Sequence, residues 1–500
     1  MIKIKIKNIY SYIYGNIDFG DLQYLEDEFS FKVENYFFMP SYKKGKWDGR
    51  KRFVYKNEMN VAIPTGLIRK TINFLKESGY NYKIYDERKK FKSKNKIKYT
   101  EEGKKITLRP YQQRVVENSL KKNRGIIKVA TGGGKSYIIM DIVKRLSLPS
   151  LIYVNRKDIF YQLYNDLQTN LDINIGKIGD GKLDIEKVNV VMYQSMISAI
   201  GYNKKTTKYQ TKDSTRVKRR LARKLVKNYP VFILDEAHHS SSDSIWHLQK
   251  KSKNAFYRFF TTATPWREDN ADIMIEAASG PKICDVTASE LIRKDYLAKP
   301  YIYLLEYKIP KKYSNFSYHK AYEYGITRNS ERNELILKVA LKALLNKKRT
   351  LIAIKQIKHG KTLKKLLHEI TPEYSDKVIF VQGGDLSEDR EKALQDLNDG
   401  NVYVVIATSI FGEGVDIPNL QVLINAKAQK SSIDALQLAG RALRPGTLDS
   451  SEVMIVDIFD KKSGFRKYSK SRKKIYETEE EFEIKEVDKI EKIKEPFFSE

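Results

Sequence analysis

The stretch Lys128-Val-Ala-Thr-Gly-Gly-Gly-Lys-Ser-Tyr137 decides how the chain is read. Its Gly134-Lys135-Ser136 ending has the form of a phosphate-binding loop, yet the pattern G-x-x-x-x-G-K-[ST] asks for glycine where this chain has Val129. The surroundings resolve the mismatch. An apolar run, Ile126–Val129, precedes the loop, and a helical stretch, Tyr137–Leu146, follows it. A strand feeding a glycine-rich turn and then a helix presents backbone N–H groups to an anion at the helix N-terminus. Val129 then reads as the end of the strand. In such a loop Thr131, Gly132, Gly133 and Gly134 let the backbone approach phosphate oxygens, Lys135 reaches the β- and γ-phosphates, and Ser136 ligates Mg2+.

A second element gives the loop a partner. Val231-Phe-Ile-Leu-Asp-Glu-Ala-His238 is an apolar strand ending in two acids. Asp235 is placed to hold Mg2+, and Glu236 to polarise an attacking water as general base. The cofactors expected are therefore ATP and Mg2+.

Other runs share that texture. Leu151–Val154, Val188–Met192 and Phe256–Thr262 belong to one series. Thr350–Ile354, Lys377–Val381, Val402–Ala407, Val422–Asn425 and Val453–Ile458 form a second. Each is short, β-branched or aromatic, and apolar on both faces, as strands of helix-covered parallel sheets are. The fold expected is α/β: two tandem parallel-sheet domains at 100–297 and 298–460, after a small α+β domain at 1–95. Residues 461–500 read as a charged tail, partly helical or disordered.

Asp-Glu-Ala-His at 235–238, set beside Ala130-Thr-Gly-Gly-Gly-Lys-Ser136, resembles the superfamily-2 helicases and translocases, in which the loop often lacks its first glycine. Further segments follow in the family's order across roughly 109–458. Arg109-Pro-Tyr-Gln112 resembles the adenine-reading element, and Gln112 has an amide suited to the adenine edge. Tyr193-Gln194-Ser195 resembles a strand-contacting motif, and Thr261-Thr-Ala-Thr-Pro265 the element that couples ATP to nucleic acid. Ala407-Thr408, with Gly412-Glu-Gly-Val-Asp-Ile-Pro418, and Gln437-Leu-Ala-Gly-Arg-Ala-Leu-Arg444 resemble the second domain's motifs. The resemblance implies RecA-like domains, with Gly414 and Asp416 near the nucleotide's ribose. On a helix Gln437, Arg441 and Arg444 share a face, and the two arginines would stabilise charge on the transferred phosphoryl group.

Two stretches narrow the resemblance. Trp266-Arg267-Glu268-Asp269 is similar to the Arg-Glu-Asp element of XPB-type DNA translocases, which implies that Arg267, Glu268 and Asp269 help part a duplex. Ser41-Tyr-Lys-Lys-Gly-Lys-Trp-Asp-Gly-Arg50, continued by Lys51-Arg52-Phe53, resembles the accessory domain of UvsW-type phage recombination helicases. There Trp47 and Phe53 offer stacking faces, and Arg50, Lys51 and Arg52 offer phosphate contacts. The competing reading makes Trp47 a core anchor beside an Asp48-Gly49 turn. Tyr193, Gln194 and Thr408 complete the nucleic-acid candidates.

The totals agree with a nucleic-acid partner. The net charge of the 500 residues is +31, with a pI near 9.6, which favours a polyanion. Gly201–Lys227 is basic and adds a candidate phosphate grip or a solvated loop. Cys284 is the single cysteine, which excludes an intramolecular disulfide and a cysteine metal site. Neither a signal peptide nor a membrane span is legible, so the expected place is the cytoplasm, the host's if the chain is viral.

The function expected is an ATP-dependent DNA helicase or translocase that remodels branched DNA in recombination, repair or replication, working as a monomer on branched, duplex or single-stranded DNA. Two alternatives stand beside it. One is an RNA helicase. The other is the motor subunit of a restriction nuclease, for which Glu483-Ile-Lys485 is the candidate nuclease element.

Overall fold

The computed structural model describes residues 1–201, 213–237, 242–263, 272–313, 316–408, 419–429, 431–443, 452–461 and 464–493. The chain forms two compact units. One is Met1–Val129 with Gly134–Asp285, and the other is Ala130–Gly133 with Val286–Glu500.

The first unit holds an eight-stranded sheet. Its order is Lys182–Asp184, Ile175–Gly179, Val188–Met192, Ser150–Val154, Val231–Leu234, Tyr257–Thr262, Arg124–Val129 and Lys282–Val286. Neighbours from Ile175–Gly179 to Arg124–Val129 run parallel. Side chains alternate between two buried faces, so the strands show no polar side. Ile126, Leu151, Tyr153, Val191, Phe232, Leu234 and Phe260 share one core with apolar residues of helices Tyr193–Ala199, Asp213–Asn228, Ser242–Lys251 and Asp272–Ser279.

The N-terminal region adds its own sheet, in the order Tyr55–Lys56, Val61–Pro64, Tyr10–Tyr14, Ile2–Ile6 and Tyr82–Asp86. The alternation at the start of the chain sets its register: Ile2, Ile4 and Ile6 are buried, and Lys3 is exposed. This sheet does not stand apart from the eight-stranded one. Ile2, Ile4, Phe53 and Leu75 join the same core as Trp246 and Ala277. Trp246, on helix Ser242–Lys251, meets Phe53 at 5.3 Å and Tyr10 at 6.1 Å between ring centroids, both edge to face. Lys70 pairs with Glu276 at 2.7 Å, and Arg124 donates to the Asn8 carbonyl at 3.3 Å. Large aromatic burial joined by ion pairs makes one continuous body of these residues.

The second unit holds a seven-stranded sheet in the order Val378–Val381, Val404–Ala407, Thr350–Ala353, Val422–Asn425, Glu452–Asp460, Lys299–Tyr307 and Glu483–Val487. All neighbours run parallel. Two buried ion pairs clamp helices to its long strand. Arg332 bonds Asp460 at 3.0 Å, and Arg472 bonds Asp457 at 2.8 Å.

Residues 461–500 were read from sequence as a charged tail, and the described stretch 464–493 contributes structure to this sheet. Arg466–Tyr476 is a helix, and Glu483–Val487 pairs in parallel with Lys299–Tyr307. Its scattered apolar residues Tyr476, Phe482, Ile490 and Ile493 are all buried. Charged neighbours hid that pattern, because most of them face solvent while Arg472 is itself neutralised inside. No helix among the described residues is long and apolar enough to cross a membrane.

Candidate functional site

The candidate site lies at the carboxyl ends of the first unit's strands, where open α/β sheets place their ligands. Val129 is the last residue of strand Arg124–Val129 and is fully buried. Glycine is needed further on. Gly134 has φ +71, and a Cβ there would collide with the Gln112 side chain. Helix Lys135–Leu146 starts immediately after it, so Lys135 and Ser136 occupy a helix N-terminus, where an anion is favoured.

Asp235 and Glu236 follow strand Val231–Leu234. Lys135 Nζ lies 3.0 Å from Glu236 Oε1. Asp235 is buried and accepts a 2.5 Å hydrogen bond from the Thr261 hydroxyl. Burial, and then the neighbouring Glu236 carboxylate, raise Asp235 above the usual carboxylate range, while Lys135 and Thr261 pull it back. A cation beside Asp235 would relieve that burial cost, so this buried carboxylate fits Mg2+. Glu236 adopts φ +47, a left-handed conformation costly for a residue with a Cβ. Its carbonyl accepts from Asn155 Nδ2 at 3.4 Å, which helps fix the strained turn.

Gln112 is buried, and its Oε1 accepts from the Arg109 N–H at 2.9 Å. The glutamine therefore caps helix Pro110–Lys122 and braces Gly134 from the side.

Several expected nucleic-acid contacts are engaged elsewhere. Tyr193 is buried, and its hydroxyl bonds Ser244 at 2.7 Å. A bulky ring after a strand end found the core more favourable than solvent. Gln194 is exposed and donates to the Asn155 carbonyl at 3.0 Å. Lys51 is ion-paired with Asp243. Arg52 is paired with Asp48 at 2.5 Å, and Arg50 Nε donates to Ser30 Oγ at 3.1 Å. Of the two stacking candidates, Phe53 is wholly buried. Trp47 is half-buried and donates to the Arg50 carbonyl at 2.7 Å, which is the anchoring role.

In the second unit Thr408 is buried at 9% exposure, and Gln437 at 3% on helix Ser432–Ala442. Arg441 lies on the same helix, and nothing is described of its side chain. Arg267, Glu268, Asp269, Gly414, Asp416 and Arg444 lie outside the described residues.

A basic face that the sequence placed loosely is sharply defined. On helix Asp213–Asn228, Ala222, Leu225 and Val226 are buried in the first unit's core. Arg220, Arg223, Lys224 and Lys227 are exposed. Their spacing of three, four and seven puts them on one side of the helix, an array suited to phosphates.

The nuclease candidate fares differently. Glu483 and Lys485 pair with each other at 2.8 Å on an edge strand. Among the described residues no group of three or more His, Cys, Asp or Glu is arranged to hold a metal.

Three families match the chain in order. DNA helicase UvsW, N-terminal, covers residues 1–86. The type III restriction enzyme res subunit covers 105–267, and the helicase conserved C-terminal domain covers 331–446. The DNA 3'-5' translocase XPB2 of Sulfurisphaera tokodaii is 26% identical across 74% of this chain and 85% of that protein. The ATP-dependent DNA helicase uvsW of Enterobacteria phage T4 is 26% identical across 84% of this chain and 83% of its own length. A variant of S. cerevisiae Dbp5, solved with RNA and ADP BeF3, shares the fold over 77% of this chain and 91% of its own, with TM-score 0.51 and 14% identity.

Proposed function

The chain is a superfamily-2 helicase, similar in its core and its N-terminal domain to UvsW, and on that premise we propose that it is an ATP-driven DNA motor that remodels branched DNA. The observation that carries the chemistry is the Lys135–Glu236 pair beside the buried Asp235–Thr261 hydrogen bond. Lys135 would bind the β- and γ-phosphates, so a triphosphate competes with Glu236 for it. Glu236, released from the lysine, is then free to accept the proton of the attacking water. Asp235 and Ser136 would hold Mg2+, which supplies charge neutralisation at the phosphates. Thr261, bonded to Asp235, gives the hydrolysis centre a mechanical link to its own strand's end. Arg441 and Arg444 are assigned to the transferred phosphoryl group, and Gly414 and Asp416 to the nucleotide.

The preference for DNA rests on the similarity of residues 1–86 to the N-terminal domain of DNA helicase UvsW. That domain is seated on helix Ser242–Lys251, which begins a few residues beyond Glu236. A structure-recognising domain fixed next to the hydrolysis strand suits a motor whose substrate is defined by shape.

The test is a substrate panel under ATP: forked DNA, a four-way junction, a D-loop, linear duplex, supercoiled plasmid and an RNA duplex. The reading expects strand exchange or unwinding of the branched DNAs and little on RNA. A clear preference for RNA, or nicking of plasmid DNA, replaces it with one of the two alternatives.

A further inference from the structure

The arm between strands Ser30–Lys32 and Arg50–Arg52 places a group of aromatic side chains in water. These two short strands pair antiparallel, and the chain between them leaves the domain and returns. Phe37 is 49% exposed and Phe38 67%, with Met39 and Tyr42 close to 38% and 37%. Phe37 and Phe38 have centroids 4.4 Å apart, and Tyr36 packs edge-on against Phe37 at 5.6 Å and Tyr42 at 4.7 Å. So much apolar surface gathered at one tip is unfavourable in water and marks a binding surface.

The arm is held in place. Gly49 adopts φ +80, and a Cβ there would run into the Tyr36 ring, so Tyr36 lies directly on the returning backbone. Trp47 ties that return to the Arg50 carbonyl. At the base, Lys51 pairs with Asp243 and Phe53 packs on Trp246, both on helix Ser242–Lys251. The cations of the base are thus used internally. Lys32, at the base too, stands 5.4 Å from the Tyr36 ring centre, whereas Lys43, Lys44 and Lys46 of the tip are exposed. Glu34 is the single acid between Lys32 and Lys46.

We propose that the Tyr36–Tyr42 tip is a base-stacking wedge that seats on the terminal base pair of a branch point, with Lys43, Lys44 and Lys46 on the flanking phosphates. This inference rests on the DNA-motor reading and sharpens it by naming the group that recognises the branch. Four lysines around a cluster of aromatic faces match a nucleic acid, whose bases present π-faces and whose backbone is anionic. An apolar protein partner would gain nothing from the lysines, and a bare phosphate track would gain nothing from the rings. A duplex end or junction offers an exposed stacked pair, which a linear duplex interior lacks. Because the arm's base is bonded to helix Ser242–Lys251, binding at the tip is carried to the segment that follows Glu236.

The experiment places 2-aminopurine at the first paired position of a fork and measures its fluorescence as full-length protein is added. Phe37→Ala/Phe38→Ala and Lys43→Gln/Lys44→Gln/Lys46→Gln are compared with the wild type, and thermal unfolding confirms that both variants fold. The wild type should change the fluorescence at the branch and bind fork in preference to a duplex whose two ends are closed by hairpin loops by about ten-fold or more. The aromatic variant should lose the fluorescence change and most of that preference. The lysine variant should keep the fluorescence change at saturation and need more protein to reach it. Wild-type-like signals from the aromatic variant overturn the inference, as does a variant that alters only self-association. If wild-type ATP turnover does not respond to any DNA, the motor reading has failed instead, and the two failures are told apart.

Discussion

Lys135 Nζ lies 3.0 Å from Glu236 Oε1, so the lysine we assign to a triphosphate is held by the carboxylate we assign as the base. Substrate binding and base release are one event in this arrangement. While Lys135 holds Oε1, its positive charge lowers the basicity of the Glu236 carboxylate.

Separating the two roles is therefore informative. Lys135→Ala should lose nucleotide binding and turnover together. Glu236→Gln should retain nucleotide and lower turnover by about 10²–10⁴-fold, the usual contribution of a positioned base. Nucleotide affinity by fluorescent-analogue titration, beside phosphate release, reads both. Equal loss of binding in the two variants contradicts the assignment.

The seating of the N-terminal domain makes an energetic prediction. Trp246 is 5% exposed and lies between Phe53 and Tyr10, so Trp246→Ala should destabilise the first unit by about 3–5 kcal/mol. In a double-mutant cycle with Phe53→Ala, the two losses should fall short of additivity by about 0.5–1.5 kcal/mol. Denaturant unfolding measures both. Additive losses would mean that the rings pack beside each other without coupling.

Residues past 460 make another. Arg472 donates two hydrogen bonds to Asp457 from its Nε and Nη2, and Tyr476 adds its hydroxyl at 3.0 Å. Arg472→Met strands a buried carboxylate and should cost about 3–5 kcal/mol. Replacing Asp457 as well, by Leu, should recover part of that loss. A stability unchanged by Arg472→Met would show that the helix Arg466–Tyr476 is not docked in solution.

The basic helix is tested by salt. Arg220, Arg223, Lys224 and Lys227 face solvent from a helix whose other side is core, so changing all four to Gln should spare the fold. For every DNA phosphate that no longer meets a cation, the slope of log K against log salt should flatten by about 0.9. Binding isotherms on linear duplex at several salt concentrations give that slope. A slope equal to the wild type's assigns these charges to solubility alone.

Which parts were legible in the letters follows from what each letter had to do. The loop at 130–136 and the acids at 235–236 were readable because a phosphate site needs few residue types at fixed spacing. The central strands were readable because burial on both faces leaves unbroken apolar runs. Sequence shows charge and not its partner: Arg50, Lys51 and Arg52 were read as phosphate contacts, and Asp48 and Asp243 are paired with two of the three. The burial of Tyr193 was not legible either, since its hydroxyl partner Ser244 lies 51 positions away. The strands Ile175–Gly179, Lys282–Val286 and Glu483–Val487 were missed because glycine or charge interrupts their pattern. Trp246 carried no local motif, and only its long-range partners reveal its role.

The central claim is that ATP hydrolysis at Lys135, Asp235 and Glu236 drives work on branched DNA. Steady-state phosphate release by the wild type, measured without nucleic acid, with forked DNA and with a fork of the same sequence in RNA, tests it most directly. Low turnover alone, strong stimulation by the DNA fork, weak stimulation by the RNA fork, and none by either with Glu236→Gln are expected. Turnover indifferent to DNA, or driven preferentially by RNA, would contradict it.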